Sequence, residues 1–309
     1  MDALLASPQF AAGCWFGLAA FAAGLAAALA WRSGRRPPPV PISGLLFAGA
    51  TAAAIGWTLG LPPTLLPGLL ALACAGAASQ RPWARPLAIG SSILGGWLVT
   101  CPSRLALDGG LRLLVAVAVA GGGWLAADLD HRWRSRALGP LLLALTVGGV
   151  YATVPDTEQA LAALGVMLPM AGLAWPWPLA SLGRAGTHAA VGALLWVVTA
   201  GGAGRPSSVV GGIACLGLLV VEPLARIIDP RHRGLTDHLP AGRWVTLVVV
   251  TAQLGLVYVA ARVAGLRATV SQAAVIAGVE LVVAVAVCLA VRAGRPVHQQ
   301  DAVSAGDGH

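Results

Sequence analysis

Residues 10–36 read FAAGCWFGLAAFAAGLAAALAWRSGRR, an uncharged run that ends in a cluster of arginines. The first 22 of these residues, 10–31, carry no charged side chain. A helix needs about 20 mainly apolar residues to cross the hydrocarbon core of a bilayer. The stretch therefore predicts a membrane-spanning helix followed by a basic loop that contains Arg32, Arg35 and Arg36.

The same alternation of apolar runs and polar loops continues along the chain. Hydrophobic residues make up 57% of the sequence and charged residues 10%, whereas soluble domains carry about a quarter charged residues. The pattern predicts an all-α, polytopic membrane helix bundle of about 11 transmembrane helices. The predicted spans are 10–31, 42–60, 63–79, 86–102, 109–127, 137–154, 157–174, 186–203, 208–227, 243–263 and 269–292. We expect residues 1–296 to form a single transmembrane domain and 297–309 a disordered cytoplasmic tail.

The arginines, which are the only strong cations because the chain has no lysine, fall mainly in every second loop. Those in or at the edges of the segments that follow odd-numbered spans are Arg32, Arg35, Arg36, Arg81, Arg85, Arg132, Arg134, Arg136, Arg184, Arg226, Arg231, Arg233, Arg243, Arg292 and Arg295. Cytoplasmic loops hold the excess of positive charge. The distribution predicts a multi-pass protein of a bacterial cytoplasmic membrane, with its N-terminus outside and its C-terminus inside. The net charge of +8 then indicates contact with anionic lipid rather than with nucleic acid.

Three of the predicted cytoplasmic loops concentrate polar side chains, at residues 128–134, 175–188 and 229–238. Arginine and histidine at such a surface can bind phosphate by charge and hydrogen bonds. Aspartate and histidine can hold a divalent metal ion. Membrane topology and the solvation of a loop also explain these residues, so both interpretations stay open at this point.

Two segments give the chain a family resemblance. Residues 35–44, RRPPPVPISG, form a proline-rich basic segment after span one, and residues 177–187, WPLASLGRAGT, form a glycine-containing loop before span eight. With these pieces in this order, the chain resembles the polyprenyl-phosphate N-acetylhexosamine-1-phosphate transferases, which are glycosyltransferase family 4-like membrane enzymes of cell-envelope biosynthesis. The resemblance extends over most of the chain in layout, because several members of that family also have eleven spans with the N-terminus outside.

The chain departs from the family at the residues that the family uses to hold a metal ion. Ser79 and Gln80 stand where the family has a pair of aspartates, and Arg184 stands where it has a metal-binding aspartate. The resemblance therefore implies a pseudoenzyme without a metal cofactor, which binds a lipid phosphate and acts as a scaffolding or regulatory partner. The ligand-binding residues that it implies are Gly183, Arg184, Gly186, His188, Arg231, His232 and Arg233. The implied partners are membrane lipids, including polyprenyl phosphate, and envelope-assembly proteins or a second copy of the chain.

An active enzyme of the same class is the first alternative. Asp128, Asp130 and Asp237 would then supply relocated metal ligands, with His238 as a further catalytic candidate. This interpretation implies bound Mg²⁺ and a nucleotide sugar as the donor substrate.

Charged residues within the predicted spans suggest a second alternative, because ionisable groups inside a membrane are often functional. Glu280 lies midway along span eleven without a partner nearby in the sequence, and it is the candidate coupling site of a small-molecule or lipid transporter. Glu222 and Arg226, and likewise Asp108 and Arg112, are spaced four residues apart and are interpreted as local pairs on one helix face.

Overall fold

The computed structural model describes residues 6–32, 38–101, 109–132, 158–173 and 179–201. Throughout these ranges the regular secondary structure is helical and no strand occurs, so the all-α prediction is confirmed for them. Predicted spans six, nine, ten and eleven and the tail at 297–309 lie outside the described residues.

The α-helices of the described ranges follow the predicted spans closely. In chain order they are α1 (Pro8–Ala30), α2 (Ser43–Leu59), α3 (Leu65–Ala78), α4 (Arg85–Thr100), α5 (Gly109–Arg132), α6 (Glu158–Met170) and α7 (Arg184–Gly201). Local chemistry fixes the start of α1, where the Ser7 hydroxyl accepts a hydrogen bond from the Phe10 N–H at 3.3 Å and Pro8 occupies the first turn. A serine N-cap followed by proline is a common way to begin a helix, because proline lacks the N–H that would otherwise need a partner.

Helix α5 is longer than its predicted span of 109–127 and continues to Arg132. The expectation that Asp128, Asp130 and His131 lie in a loop is therefore wrong, since all three belong to the last turns of α5. Residues 124–132 contain no glycine or proline to stop the helix, and alanine, leucine and arginine favour it. The apolar run ends at Ala127, whereas the helix continues to Arg132. The last turn of a helix can carry charged side chains when it lies outside the apolar region.

Length and composition identify one helix of the described residues, α1, as able to cross a membrane. The segments Ser43–Leu59, Leu65–Ala78 and Glu158–Leu173 are apolar but shorter than that criterion requires. The described helices alone therefore do not establish the eleven-span arrangement.

Close backbone approaches fix the relative directions of the helices. Gly13 lies against Ala162 and Gly17 against Val166, so α1 and α6 run parallel. Helices α2 and α7 also run parallel, because their first turns meet at Gly44 and Gly186. Antiparallel pairs are seen from contacts between residues 24 and 46, 68 and 99, 72 and 95, 96 and 116, 123 and 188, and 76 and 184. We call the end where α1, α3 and α5 finish and α2, α4 and α7 begin the arginine end, because it carries Arg32, Arg81, Arg85 and Arg184. The opposite end is called the far end.

Replacing Gly17 by valine should destabilise the fold, because a Cβ atom at this position would lie 2.8 Å from the Cα atom of Val166. Helices α1 and α6 must then separate, and we expect the free energy of unfolding to fall by about 2 kcal/mol. Thermal unfolding of the purified full chain would measure this as a lower Tm. Ala19→Val, at an exposed position of the same helix, is the matched control and should leave Tm nearly unchanged. Equal shifts in the two variants would contradict the close packing of α1 on α6.

Candidate functional site

The segments that precede α2 and α7 pair with each other at the arginine end. The Val40 N–H donates to the Leu179 carbonyl at 3.1 Å, and the Ser181 N–H donates to the Val40 carbonyl at 2.8 Å. The Ser43 N–H donates to the Ser181 carbonyl at 2.9 Å, and Val40 and Ala180 form a parallel β-bridge. Prolines on either side of Val40 favour an extended backbone there. As a result α2 and α7 begin side by side.

Two glycines allow the close approach at the start of α7. Gly183 has a φ of 66°, which glycine adopts without strain, and a Cβ atom on it would lie 2.8 Å from the Cβ atom of Pro41. Its carbonyl accepts from the Thr187 N–H at 2.8 Å and from the Thr187 hydroxyl at 2.6 Å. Gly186 packs directly on Gly44, where a Cβ atom would lie 2.9 Å from the Gly44 Cα atom. The first turns of α2 and α7 are therefore in backbone contact.

Arg184 lies beside the end of α3. Its Nη1 donates to the Ser79 carbonyl at 3.4 Å, and the backbone of Arg184 and Ala185 packs on Gly76. Ser79 is the C-cap residue of α3, and its hydroxyl donates to the Gly76 carbonyl at 2.7 Å. Because the carbonyls at a helix C-terminus carry partial negative charge, a guanidinium group at this position is stabilised as a cap. Arg184 nevertheless remains exposed to solvent, as does Gln80, the residue after Ser79.

His188 lies one turn further along α7 and is built into the packing. Its side chain is 1% exposed and contacts Gly123 and Trp124 of α5. The imidazole lies edge-on to the indole of Trp124, with the two ring centroids 5.7 Å apart. Its Nδ1 is 2.9 Å from the Arg184 carbonyl, which can only accept, so Nδ1 carries the proton and donates. Its Nε2 is buried, with no hydrogen-bond partner among the described residues. The location favours a role in holding the first turn of α7 rather than direct contact with a ligand at the surface.

Asp128 and Asp130 occupy positions in the last turns of α5. These turns lie towards the arginine end, because Gly123 contacts His188, one turn along α7 from Arg184. No group of three or more His, Cys, Asp or Glu side chains able to hold a metal ion occurs in the described part of the chain. The remaining candidates lie outside the described residues: Glu222, Arg226, Arg231, His232, Arg233, Asp237, His238 and Glu280.

The sequence interpretation did not single out Ser43 or Trp124. Ser43 is fully buried at the start of α2, and its Oγ has no hydrogen-bond partner among the described residues. Its position directly after a proline-rich segment and before an apolar run is typical of a helix start and could have drawn attention to it. Trp124 follows three glycines within an apolar run, a context that gives no functional signal.

Taken together, these contacts join Arg184, the end of α3 at Ser79 and the adjoining first turns of α2 and α7 into one cluster, in which the Arg184 side chain is exposed. The first N–H groups of a helix have no partner within the helix and, with the helix dipole, favour anions. An exposed guanidinium beside two helix N-termini can bind a phosphate group by charge and hydrogen bonds. No protein-family model matches the chain, and no curated protein is significantly similar to it.

Proposed function

We propose that the protein crosses a bacterial cytoplasmic membrane many times, with the arginine end in the cytoplasm. The alternating directions of the helices and the distribution of charge support this proposal. Of the arginines that the structure positions, Arg32, Arg81, Arg85, Arg132 and Arg184 lie at the arginine end, and Arg112 lies at the far end. Such an excess at one end is the asymmetry that orients membrane proteins.

Exposed tryptophans at both ends of the helices add support for membrane insertion. Trp15 and Trp57, which are 72% and 80% exposed, lie towards the far end, and Trp31 and Trp83, which are 56% and 74% exposed, lie at the arginine end. Trp15 and Trp31 are separated by about 24 Å along the helix axis, which approaches the thickness of a hydrocarbon core of about 30 Å. Tryptophan is enriched at the two membrane–water interfaces because its ring is amphipathic.

We further propose that the surface around Arg184 binds a lipid phosphate, with polyprenyl phosphate as the ligand, and does not turn it over. The observation that carries this proposal is the contact between Arg184 and Ser79, which are 105 residues apart in sequence. In the enzymes that the chain resembles, both positions belong to the metal-binding acids. Phosphoryl transfer to a lipid phosphate requires charge neutralisation by Mg²⁺ held by carboxylates. A fixed guanidinium can neutralise and orient the phosphate, but the carboxylate ligands are replaced. The protein then serves as a scaffolding or regulatory partner in envelope assembly.

Replacing Arg184 by glutamine should weaken the binding of undecaprenyl phosphate to the purified full chain by about tenfold. A charge-assisted hydrogen bond contributes about 1.5–3 kcal/mol, and about 1.4 kcal/mol corresponds to a factor of ten. Arg85→Gln removes another exposed arginine of the same end and should have a much smaller effect. Arg184→Asp with Mg²⁺ present should also bind weakly unless the new carboxylate recruits the metal. Unchanged binding in Arg184→Asp without Mg²⁺ would contradict the proposal.

The positions of Asp128 and Asp130 support the active enzyme as a second candidate. Both lie in the last turns of α5, which are at the arginine end. Mg²⁺-dependent release of the nucleotide from a nucleotide sugar, measured with polyprenyl phosphate, distinguishes the two candidates. The binding proposal predicts no release. Release that is lost in Asp128→Asn or Asp130→Asn would favour the enzyme.

A further inference from the structure

Among the arginines that the structure positions, Arg112 is the exception to the charge asymmetry of the bundle. It lies in the first turn of α5 and therefore at the far end, whereas the other arginines that the structure positions lie at the arginine end. An arginine at the end that faces away from the cytoplasm opposes the orienting rule. A specific interaction at the far end would offset that disadvantage.

The guanidinium of Arg112 is held between α4 and α5. Its Cζ atom lies 4.5 Å from the centroid of the Trp97 ring, within the range of a cation–π interaction. The two helices approach closely here, because a Cβ atom on Gly96 would lie 3.0 Å from the Cα atom of Ala116. Arg112 is four residues before Ala116 and so lies on the same face of α5, turned towards α4. Trp97 thus covers one face of the guanidinium and fixes its orientation.

The polar edge of the same guanidinium is buried and unpaired. Its Nε and Nη2 atoms are buried and have no hydrogen-bond partner among the described residues, whereas Arg112 as a whole is partly exposed. Leaving a buried donor of a charged group unpaired is destabilising, because the group has lost its hydrogen bonds to water. The two atoms form the side edge of the planar fork, where two parallel N–H bonds point in one direction. This edge matches two oxygens of one tetrahedral or planar anion.

We propose that Arg112 and Trp97 form a second phosphate-binding site, at the far end of the bundle. The ligand is a phosphate group that accepts two hydrogen bonds from Nε and Nη2 while the indole covers the face of the guanidinium. Either an inorganic phosphate ion or the headgroup of an anionic phospholipid carries the required chemistry. The site uses none of the residues around Arg184. Its test is therefore independent of the function proposed for those residues.

Two assays on the full chain identify the source of the phosphate. In neutral detergent without added lipid, inorganic phosphate is titrated and the shift in Tm gives an apparent affinity. In phosphatidylcholine nanodiscs with or without phosphatidylglycerol, native mass spectrometry counts the anionic lipids retained per chain. A response to inorganic phosphate assigns the site to the free ion, and selective retention of phosphatidylglycerol assigns it to a headgroup. Either result supports the site only if it depends on Arg112.

Arg112→Gln should weaken binding in the responding assay by about tenfold, because two charge-assisted hydrogen bonds are lost. Arg112→Lys keeps the charge but not the fork and should weaken it severalfold, and Trp97→Leu should do the same by releasing the guanidinium. Arg85→Gln, at the arginine end, is the control and should retain this binding. Wild-type binding in folded Arg112→Lys and Trp97→Leu variants would overturn the proposal, even if Arg112→Gln failed to fold.

Asp108, four residues before Arg112, is the competing partner within the chain, and it lies outside the described residues. If Asp108 pairs with the guanidinium, Asp108→Asn and Arg112→Gln should lower Tm equally, and the double variant should lower it no further. That result, together with no effect of phosphate or phosphatidylglycerol, would overturn the proposal. Independent effects of the two substitutions would exclude Asp108 as the partner, and the phosphate and phosphatidylglycerol assays then decide the proposal.

Discussion

Replacing Gly44 by valine should separate the first turns of α2 and α7 and abolish the binding of polyprenyl phosphate. A Cβ atom on Gly44 would lie 2.8 Å from the Cα atom of Gly186, which is backbone and cannot rotate away. The neighbouring pairing between residues 40–43 and 179–181 holds the two segments together, so the strain must be relieved by moving a whole helix. We expect the free energy of unfolding to fall by about 3 kcal/mol, at the upper end of the usual cost of overpacking.

Gly49 supplies the matched control for this experiment. It lies in the same helix, five residues further on, and a Cβ atom there has no neighbour within 4 Å. Gly49→Val therefore makes the same chemical change without a clash. Thermal unfolding and binding of undecaprenyl phosphate should both be impaired in Gly44→Val and nearly normal in Gly49→Val. A folded Gly44→Val variant with normal binding would show that the adjoining helix starts do not form the site.

The two assays separate two ways in which Gly44→Val can act. Loss of binding at a temperature where the variant is still folded would indicate that the spacing of the helix starts matters for the ligand. Loss of both properties together would indicate that the contact is first of all structural. The Arg184→Gln variant provides the comparison, because Arg184 is exposed and its replacement introduces no clash.

The positions of the helices could be predicted from the sequence because apolar runs of helical length are separated by proline and by charged residues. The predicted span 42–60 and the observed helix Ser43–Leu59 differ by one residue at each end. The end of α5 could not be predicted in this way, since hydrophobicity marks where a segment can be buried and not where helical hydrogen bonding stops. Asp128, Asp130, His131 and Arg132 are polar and still helical.

The candidate site was predictable only in part. The resemblance named Ser79, Gln80 and Arg184 as matching positions, and the structure brings Arg184 to the Ser79 carbonyl. The cap that Arg184 forms on α3 could not be foreseen, because it depends on how two helices far apart in the sequence pack against each other. The same reason hid the burial of His188, which follows a glycine-containing loop in the sequence and gives no local sign of facing α5.

Replacing Gly123 by valine should also destabilise the protein strongly, because Gly123 packs against the ring of His188. A Cβ atom on Gly123 would lie 2.8 Å from the Cδ2 atom and 3.0 Å from the Cγ atom of the imidazole. The ring is buried, and its Nδ1 is held by the Arg184 carbonyl at 2.9 Å, so it has little freedom to move aside. Gly123→Val should lower the free energy of unfolding by about 3 kcal/mol. Gly121→Val is the control on the same helix, since a Cβ atom at Gly121 has no neighbour within 4 Å.

A double variant tests whether the imidazole itself is the obstacle. His188→Ala alone should also destabilise the protein, by about 2–4 kcal/mol, because it leaves a cavity and removes a hydrogen bond. Combined with Gly123→Val, it should cost less than the sum of the two, since the valine side chain enters the space that the ring vacates. We expect a coupling free energy of about 1–2 kcal/mol from chemical or thermal unfolding. Strictly additive costs would mean that Gly123 and His188 do not share that space. If Gly123→Val also weakens the binding of polyprenyl phosphate and the double variant restores it, then His188 acts by setting the position of α7, and the ligand is bound without its imidazole.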